Sequence, residues 1–301
     1  MFDKLSIMNA ADLAGSAQSA GAAGLAGPAP SVILRAVVLT DRGLRRDSNE
    51  DAAYAGQRLI VLADGVGGLP GGEVASQIAV ETLSGLDRQL PSGQGALDAL
   101  QAAVEVARAR IGEASVSDPS LTGMSTTLTG MLMVADRITM VHIGDSRAYL
   151  LRGGVLGQLT RDDSYVQMLI DEGAITPEQA RVHPQRSLVS QVLQDHPARP
   201  AYTVLRPDPG DRFLLCSDGL SDVVEDGQIG FTLRTVPDRD ECARELVRLA
   251  LDGGGPDNIT VVVADVYAAA NGDAAVIDDA APPSTVFAAE DPPTGETPIA
   301  V

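Results

Sequence analysis

Four short apolar runs in this chain each abut an aspartate, and that pattern constrains the fold more than any other feature. Leu59-Ile-Val-Leu-Ala runs into Asp64-Gly65, and Met140-Val-His-Ile-Gly into Asp145-Ser146. Phe213-Leu-Leu-Cys-Ser runs into Asp218-Gly219, and Gly-Gly-Pro-Asp257-Asn258 leads straight into Ile-Thr-Val-Val-Val. Runs this short, dense in branched side chains and bounded by turn residues, read as buried strands. Strands are predicted over 32–40, 58–63, 126–134, 137–143, 147–151, 155–159, 202–206, 212–217 and 259–266. The close spacing over 126–160 predicts antiparallel meanders, because parallel neighbours need long crossovers. Helical spacing of apolar residues appears over 73–88, 96–113 and 240–251, the last turning Cys242, Leu246 and Leu249 inward. Long helices beside antiparallel strands predict layers, with helices covering the sheet faces.

A single Asp at a strand end, before Gly or in Pro-Asp-Asn, is ordinary turn chemistry. Four of them at the ends of buried strands call for a further reason. Carboxylates gathered at one sheet edge repel each other and are driven toward protonation. A divalent cation among them removes that penalty. Oxygen donors without neighbouring Cys or His favour hard ions such as Mg²⁺ or Mn²⁺.

Residues 41–51 read Asp-Arg-Gly-Leu-Arg-Arg-Asp-Ser-Asn-Glu-Asp. Taken alone this is a solvated charged loop. Beside metals it suits a phosphate: the planar fork of Arg46 can grip two phosphate oxygens, and Glu50 and Asp51 can steady water around the ions. Gly65, Gly67 and Gly68 let a backbone carbonyl turn toward a metal, but no Walker lysine follows them.

Composition narrows the partners. The formal net charge is -19, aromatics make up 3% and Trp is absent. Such a surface repels nucleic acid and anionic lipid and offers no stacking platform for bases. Two cysteines, Cys216 and Cys242, do not make a disulfide framework and read as buried free thiols; three scattered histidines give no zinc site. His142 falls in a strand near Asp145, where a structural role is expected. No apolar run reaches bilayer length, so the expectation is a cytoplasmic protein, active as a monomer. Residues 1–30, small and ending in Gly-Pro-Ala-Pro, read as a flexible leader. Residues 31–267 carry the periodic signal, and 268–301, an acidic Ala/Pro tail without Arg or Lys, reads as disordered.

Taken together, several blocks resemble the metal-dependent protein phosphatase family of the protein phosphatase 2C type, over 36–267. They are Arg46-x-x-Asn49-Glu50-Asp51, Asp64-Gly-Val-Gly-Gly68 with Gly72-Glu73, Thr126-Thr127, Gly144-Asp145-Ser146-Arg147, Ser217-Asp218-Gly219-Leu220 and Gly255-Pro-Asp257-Asn258. The resemblance implies an α+β, four-layer α-β-β-α sandwich of two antiparallel sheets flanked by helices. It implies a bacterial-type phosphatase that cleaves phosphoserine and phosphothreonine with water activated by two ions and so opposes Ser/Thr kinases. By the same resemblance Asp64 bridges both ions, the Gly65 carbonyl serves one, and Asp218 and Asp257 complete the other. Asp145 would hold a third ion, with Ser187 as a further contact from a mobile flap over 161–195. Arg46 would bind phosphate, and Glu50, Asp51 and Asn258 would act through water or by positioning. Val66, Leu69 and Ser125 depart from the residues usual in the family. Two other readings share this fold: a phosphoesterase of small molecules, and a non-catalytic binding module.

Overall fold

Burial on both faces explains why the strands are apolar throughout instead of alternating. The computed structural model describes residues 32–66, 71–88, 95–269 and 284–286. One antiparallel sheet contains β1 (Val32–Asp41), β6 (Arg147–Arg152), β7 (Val155–Gln158), β9 (Arg212–Cys216) and β10 (Ile259–Ala268), in the order β1-β10-β9-β6-β7. The other contains β2 (Asp51–Ala55), β3 (Leu59–Asp64), β4 (Leu128–Val134), β5 (Arg137–Ile143), β8 (Ala201–Leu205) and β11 (Ser284–Val286), in the order β11-β2-β3-β4-β5-β8. The helices are α1 (Gly72–Arg88), α2 (Ala96–Ser117), α3 (Tyr165–Asp171), α4 (Pro177–Arg181), α5 (Asp218–Ser221), α6 (Asp226–Thr235) and α7 (Arg239–Asp252).

Three apolar cores separate four layers. Leu59, Val61 and Ala63 share a core with Leu83 of α1 and Leu100 and Ile111 of α2. The alternate residues Ile60 and Leu62 turn to the space between the sheets, where Phe213, Leu215 and Val262 also lie. Leu214, Cys216 and Val261 face the opposite way, into a core with Leu233 of α6 and Cys242 and Leu246 of α7. The architecture is therefore the expected α-β-β-α sandwich. Both cysteines are core residues, and burial pushes the Cys216 thiol up to about 12 and the Cys242 thiol up to about 11. Neither is a thiolate near neutral pH, so neither is a nucleophile.

Helix α1 is locked at its far end by Asp87. That carboxylate accepts from Arg58 N at 2.7 Å, Leu59 N at 2.9 Å and the Tyr54 hydroxyl at 3.0 Å. The β2–β3 hairpin and the helix therefore move as one piece, which sets where α1 begins.

Several expectations need correction. The antiparallel pairing expected over 126–160 holds, but it is divided between the two sheets. It is a β4–β5 hairpin in one sheet and a β6–β7 hairpin in the other. The chain changes sheets at Gly144-Asp145-Ser146; Gly144 has φ 108°, and a Cβ there would fall 2.6 Å from the Thr127 side chain. Residues 51–55 form a buried strand that the pattern did not predict, because three of the five residues are alanine, a weak strand former. Helix α6 was missed because Gly227 and Gly230 weaken its local propensity. The expected disorder over 268–301 does not hold at 284–286. There β11 pairs with β2, Ser284 opposite Ala55 and Val286 opposite Ala53, since an uncovered edge strand offers a free row of hydrogen bonds. The expected leader, residues 270–283 and 287–301 of that tail, and Gly67, Gly68 and Leu69 lie outside the described residues, while Ala268 ends β10. Among the described residues no helix is long and apolar enough to cross a membrane.

Candidate active site

Antiparallel pairing brings the acids together. Asp51 opens β2 and Asp64 closes β3, and the two are direct partners across the ladder. In the other sheet β9 ends at Cys216, Ser217 caps the next turn, and Asp218 is the first residue of α5. Asp257 precedes β10, whose Val261 pairs with Cys216, so it lies at that same end. Asp145 sits at the crossover between the sheets.

The electrostatics match this convergence. Burial, then the charges of Asp51, Asp218, Asp145 and Asp257, raises the Asp64 carboxyl well above the usual range. Asp218 is raised well above it by burial, then by Asp145, Asp222, Asp257 and Asp51. Asp145 is pushed up to about 7 by burial, Asp162 and Asp222. Asp51 is pushed up to about 6 by burial, against the Thr260 and Ser217 hydrogen bonds that favour its charged form. Glu50 is raised by burial and by Glu73. Groups that raise one another in this way share one site.

Backbone contacts hold the ring of acids in place. Asp64 N donates to Thr127 Oγ1 at 3.0 Å, while Asp64 O accepts from Thr126 Oγ1 and Thr127 N, both at 2.8 Å. Ser217 Oγ donates to Asp51 Oδ2 at 2.9 Å, bridging the two sheets. Asn258 Nδ2 donates to Arg42 O at 2.9 Å and Ser48 O at 2.8 Å, and its Oδ1 accepts from Glu50 N at 2.8 Å. One buried amide thus ties the 42–50 loop to the start of β10. In that loop Arg46 Nη2 donates to Asp257 Oδ2 at 2.7 Å, and Arg46 stays half-exposed.

Among the described residues, two fully buried side-chain oxygens have no hydrogen-bond partner: Glu50 Oε2 and Asp51 Oδ1. A Cβ on Gly72 would lie 2.3 Å from Glu50 Oε2, so only glycine lets α1 begin beside that carboxylate. Among the described residues no three His, Cys, Asp or Glu side chains close around a single point. Mg²⁺ and Mn²⁺ keep several waters in such sites, so carboxylates that face a shared space need not close on one point to hold them. The all-oxygen donor set, the orphaned buried oxygens and the excess negative charge all fit such ions.

The structure brings Asp64, Gly65, Asp145, Asp218, Asp257, Arg46, Glu50, Asp51 and Asn258 to this one end. Ser187 is different: it is exposed, and among the described residues no hydrogen bond ties its hydroxyl to the acids. Its neighbour Arg186 reaches the site instead, with Nε 3.6 Å from Asp222 Oδ2. The 161–195 segment is pinned at both ends. Asp163 N donates to Gly144 O at 2.7 Å at one end, and buried Leu193 bridges to Thr126 at the other. Its helices α3 and α4 wall a cleft of about 490 Å³ whose floor includes Asp145, Asp162, Asp218 and Asp222. His142 is structural, held between Thr129 Oγ1 and Arg161 O, each at 3.0 Å.

Sequence reasoning missed Ser217, Asp162 and Asp222. Asp222 was findable, since it lies four residues after Asp218 and so on the same face of a helical turn. Asp162 was not, because its role depends on Arg147, whose Nε lies 3.0 Å from both of its oxygens.

A double sheet with buried aspartates gathered at one end and an arginine beside them defines a class, and the chain belongs to the protein phosphatase 2C family, whose model matches residues 42–248. It is 52% identical over 236 residues to the serine/threonine protein phosphatase PstP of Mycobacterium tuberculosis, covering 78% of this chain and 46% of that one. It is 34% identical over 235 residues to the protein phosphatase PhpP of Streptococcus pneumoniae, covering 75% of this chain and 95% of that one. A crystal structure of the PstP catalytic domain in complex with two manganese ions superposes with a TM-score of 0.73 at 50% identity, covering 78% of this chain and 99% of that one. The chain therefore spans about half the length of PstP.

Proposed function

We propose that this chain is a metal-dependent phosphatase of phosphoserine and phosphothreonine in proteins, acting in the cytoplasm against Ser/Thr kinases. The observation that carries the reading is the gathering of acids from both sheets at one end: burial and neighbouring acids raise the carboxyls of Asp51, Asp64, Asp145 and Asp218, and Asp257 with Arg46 stands at their edge. The relative bound to two manganese ions supports the same pair of ions here.

In this reading Asp64, the Gly65 carbonyl, Asp218 and Asp257 would hold the two ions, and Asp145 would hold a third. When bound, such ions would neutralise the acids and supply a water of near-neutral pKa. Arg46 binds and orients the phosphate with the guanidinium N–H groups that Asp257 does not use. Glu50 Oε2 and Asp51 Oδ1, which lack partners among the described residues, accept hydrogen bonds from water and fix its orientation. Asn258 and Ser217 position the loop and Asp51. No phosphoenzyme is needed, in keeping with the raised, buried thiols.

The test is phosphate release from p-nitrophenyl phosphate and from a phosphothreonine peptide, with Mn²⁺ and with chelator, for the wild type and Asp64→Asn. Turnover that needs Mn²⁺ and is lost in the variant is expected. Equal turnover in chelator refutes the metal mechanism. Preference for small phosphorylated metabolites over the peptide refutes the protein substrate.

A further inference from the structure

The loop that carries Arg46 holds two neighbouring side chains for which hydrolysis itself has no use. Leu44 is 67% exposed, and Arg45 is exposed beside it. A lone exposed leucine is ordinary, but this one is held out by a clamped backbone. Gly43 has φ 77°, and a Cβ there would fall 2.1 Å from Asp257 O. Leu44 N donates to Gly255 O at 2.8 Å, and Asn258 fastens the loop at Arg42 O and Ser48 O. The 42–48 loop is therefore seated on the segment that carries Asp257. Arg45 is the second side chain of the pair. Acidic residues outnumber basic ones by 41 to 22, yet among the described residues the Arg45 guanidinium has no hydrogen-bond or ion-pair partner. The exposed Arg137, Arg199 and Arg244 also lack partners there, and what sets Arg45 apart is its place next to Arg46.

We propose that Leu44 and Arg45 form a recognition rim that selects phosphoprotein segments with a carboxylate side chain next to the phosphoresidue and an apolar side chain to rest on Leu44. The inference rests on the phosphatase reading and names a substrate class within it. Consecutive residues are about 3.8 Å apart in any chain. With the phosphate on Arg46, the anion that Arg45 meets therefore lies one or two positions away in the substrate. The charge argument points the same way. The body of the protein repels acidic segments, and an unpaired arginine next to Arg46 offsets that repulsion only within a Debye length of about 8 Å. Selection is thus local and salt-sensitive. An exposed charge pair changes affinity by about two- to fivefold.

The experiment compares kcat and KM of the full chain with Mn²⁺ on two phosphothreonine peptides that differ only by Glu or Gln beside the phosphoresidue. Arg45→Glu, Leu44→Ser and p-nitrophenyl phosphate complete the set. The wild type is expected to prefer the Glu peptide by about two- to fivefold through KM, and to lose that preference in high salt. Arg45→Glu is expected to reverse it, and Leu44→Ser to raise KM for both peptides, with p-nitrophenyl phosphate turnover unchanged in either variant. Equal kcat/KM for the two peptides in the wild type, or a preference that survives Arg45→Glu, overturns the rim while leaving the phosphatase reading intact. No metal-dependent turnover of p-nitrophenyl phosphate by the wild type overturns the phosphatase reading itself.

Discussion

Replacing Asp51 by Asn separates what the acids cost the fold from what they give the site. Asp51 is fully buried, and its folded pKa is about 6 against an ordinary 3.8. The native state therefore holds a proton between those values that the unfolded chain releases. Stability falls as pH rises through that window and levels off above it. At about 1.36 kcal/mol per unit, the carboxylate costs the metal-free fold about 3 kcal/mol at pH 8 and almost nothing at pH 4. The amide keeps an acceptor for the Ser217 hydroxyl and carries no charge. Metal-free Asp51→Asn should therefore unfold about 6–12 °C higher than the wild type at pH 8, at 2–4 °C per kcal/mol, and at the same temperature at pH 4. The figure is an upper bound, because water at Asp51 Oδ1 offsets part of the penalty. With saturating Mn²⁺ the order should reverse, because the variant gains less from ions that favour a full negative charge. Thermal unfolding followed by circular dichroism, in chelator and in Mn²⁺ at both pH values, gives all the comparisons. A metal-free variant no more stable than the wild type at pH 8, or a gain that ignores pH, would refute the argument.

Two other substitutions probe the loop and the phosphate. Arg46→Ala should raise KM and lower kcat/KM by about 10- to 100-fold, the value of a charge-assisted contact of about 1.5–3 kcal/mol; an unchanged KM in steady-state kinetics removes Arg46 from phosphate binding. Asn258→Ala strands Glu50 N, Arg42 O and Ser48 O at once. It should cost about 2 kcal/mol and lower the melting temperature by about 4–8 °C, and a scan that overlays the wild type would show that water replaces the amide.

The strands were legible because burial on two faces leaves a run such as Leu59–Ala63 apolar throughout, and the acids at their ends stood out against it. The same composition hid β2, whose Ala52 packs under α1 while Ala53 and Ala55 face the other sheet, none of them announcing a strand. Where the chain switches sheets was also illegible. Period-two alternation tells two faces apart but does not say which sheet a hairpin joins, and only the left-handed Gly144 marks the switch. Asp64, Asp145, Asp218 and Asp257 could be named as a group from sequence. Ser217 could not, because its use lies in Asp51, which is 166 residues away. The reach of Arg186 rather than Ser187 toward the acids depends on how the 161–195 segment lies, and side-chain pattern does not encode that.

Asp51 and Asp64 belong to one half of the sandwich, while Asp218 and Asp257 flank strands of the other. Sliding either half by a single residue, about 3.3 Å, would pull the quartet apart. Alignment of the two halves and readiness for chemistry are thus one quantity measured in two ways. A cavity opened beneath Leu62 or Phe213, far from any phosphate, should be felt first as lost turnover and only afterwards as unfolding.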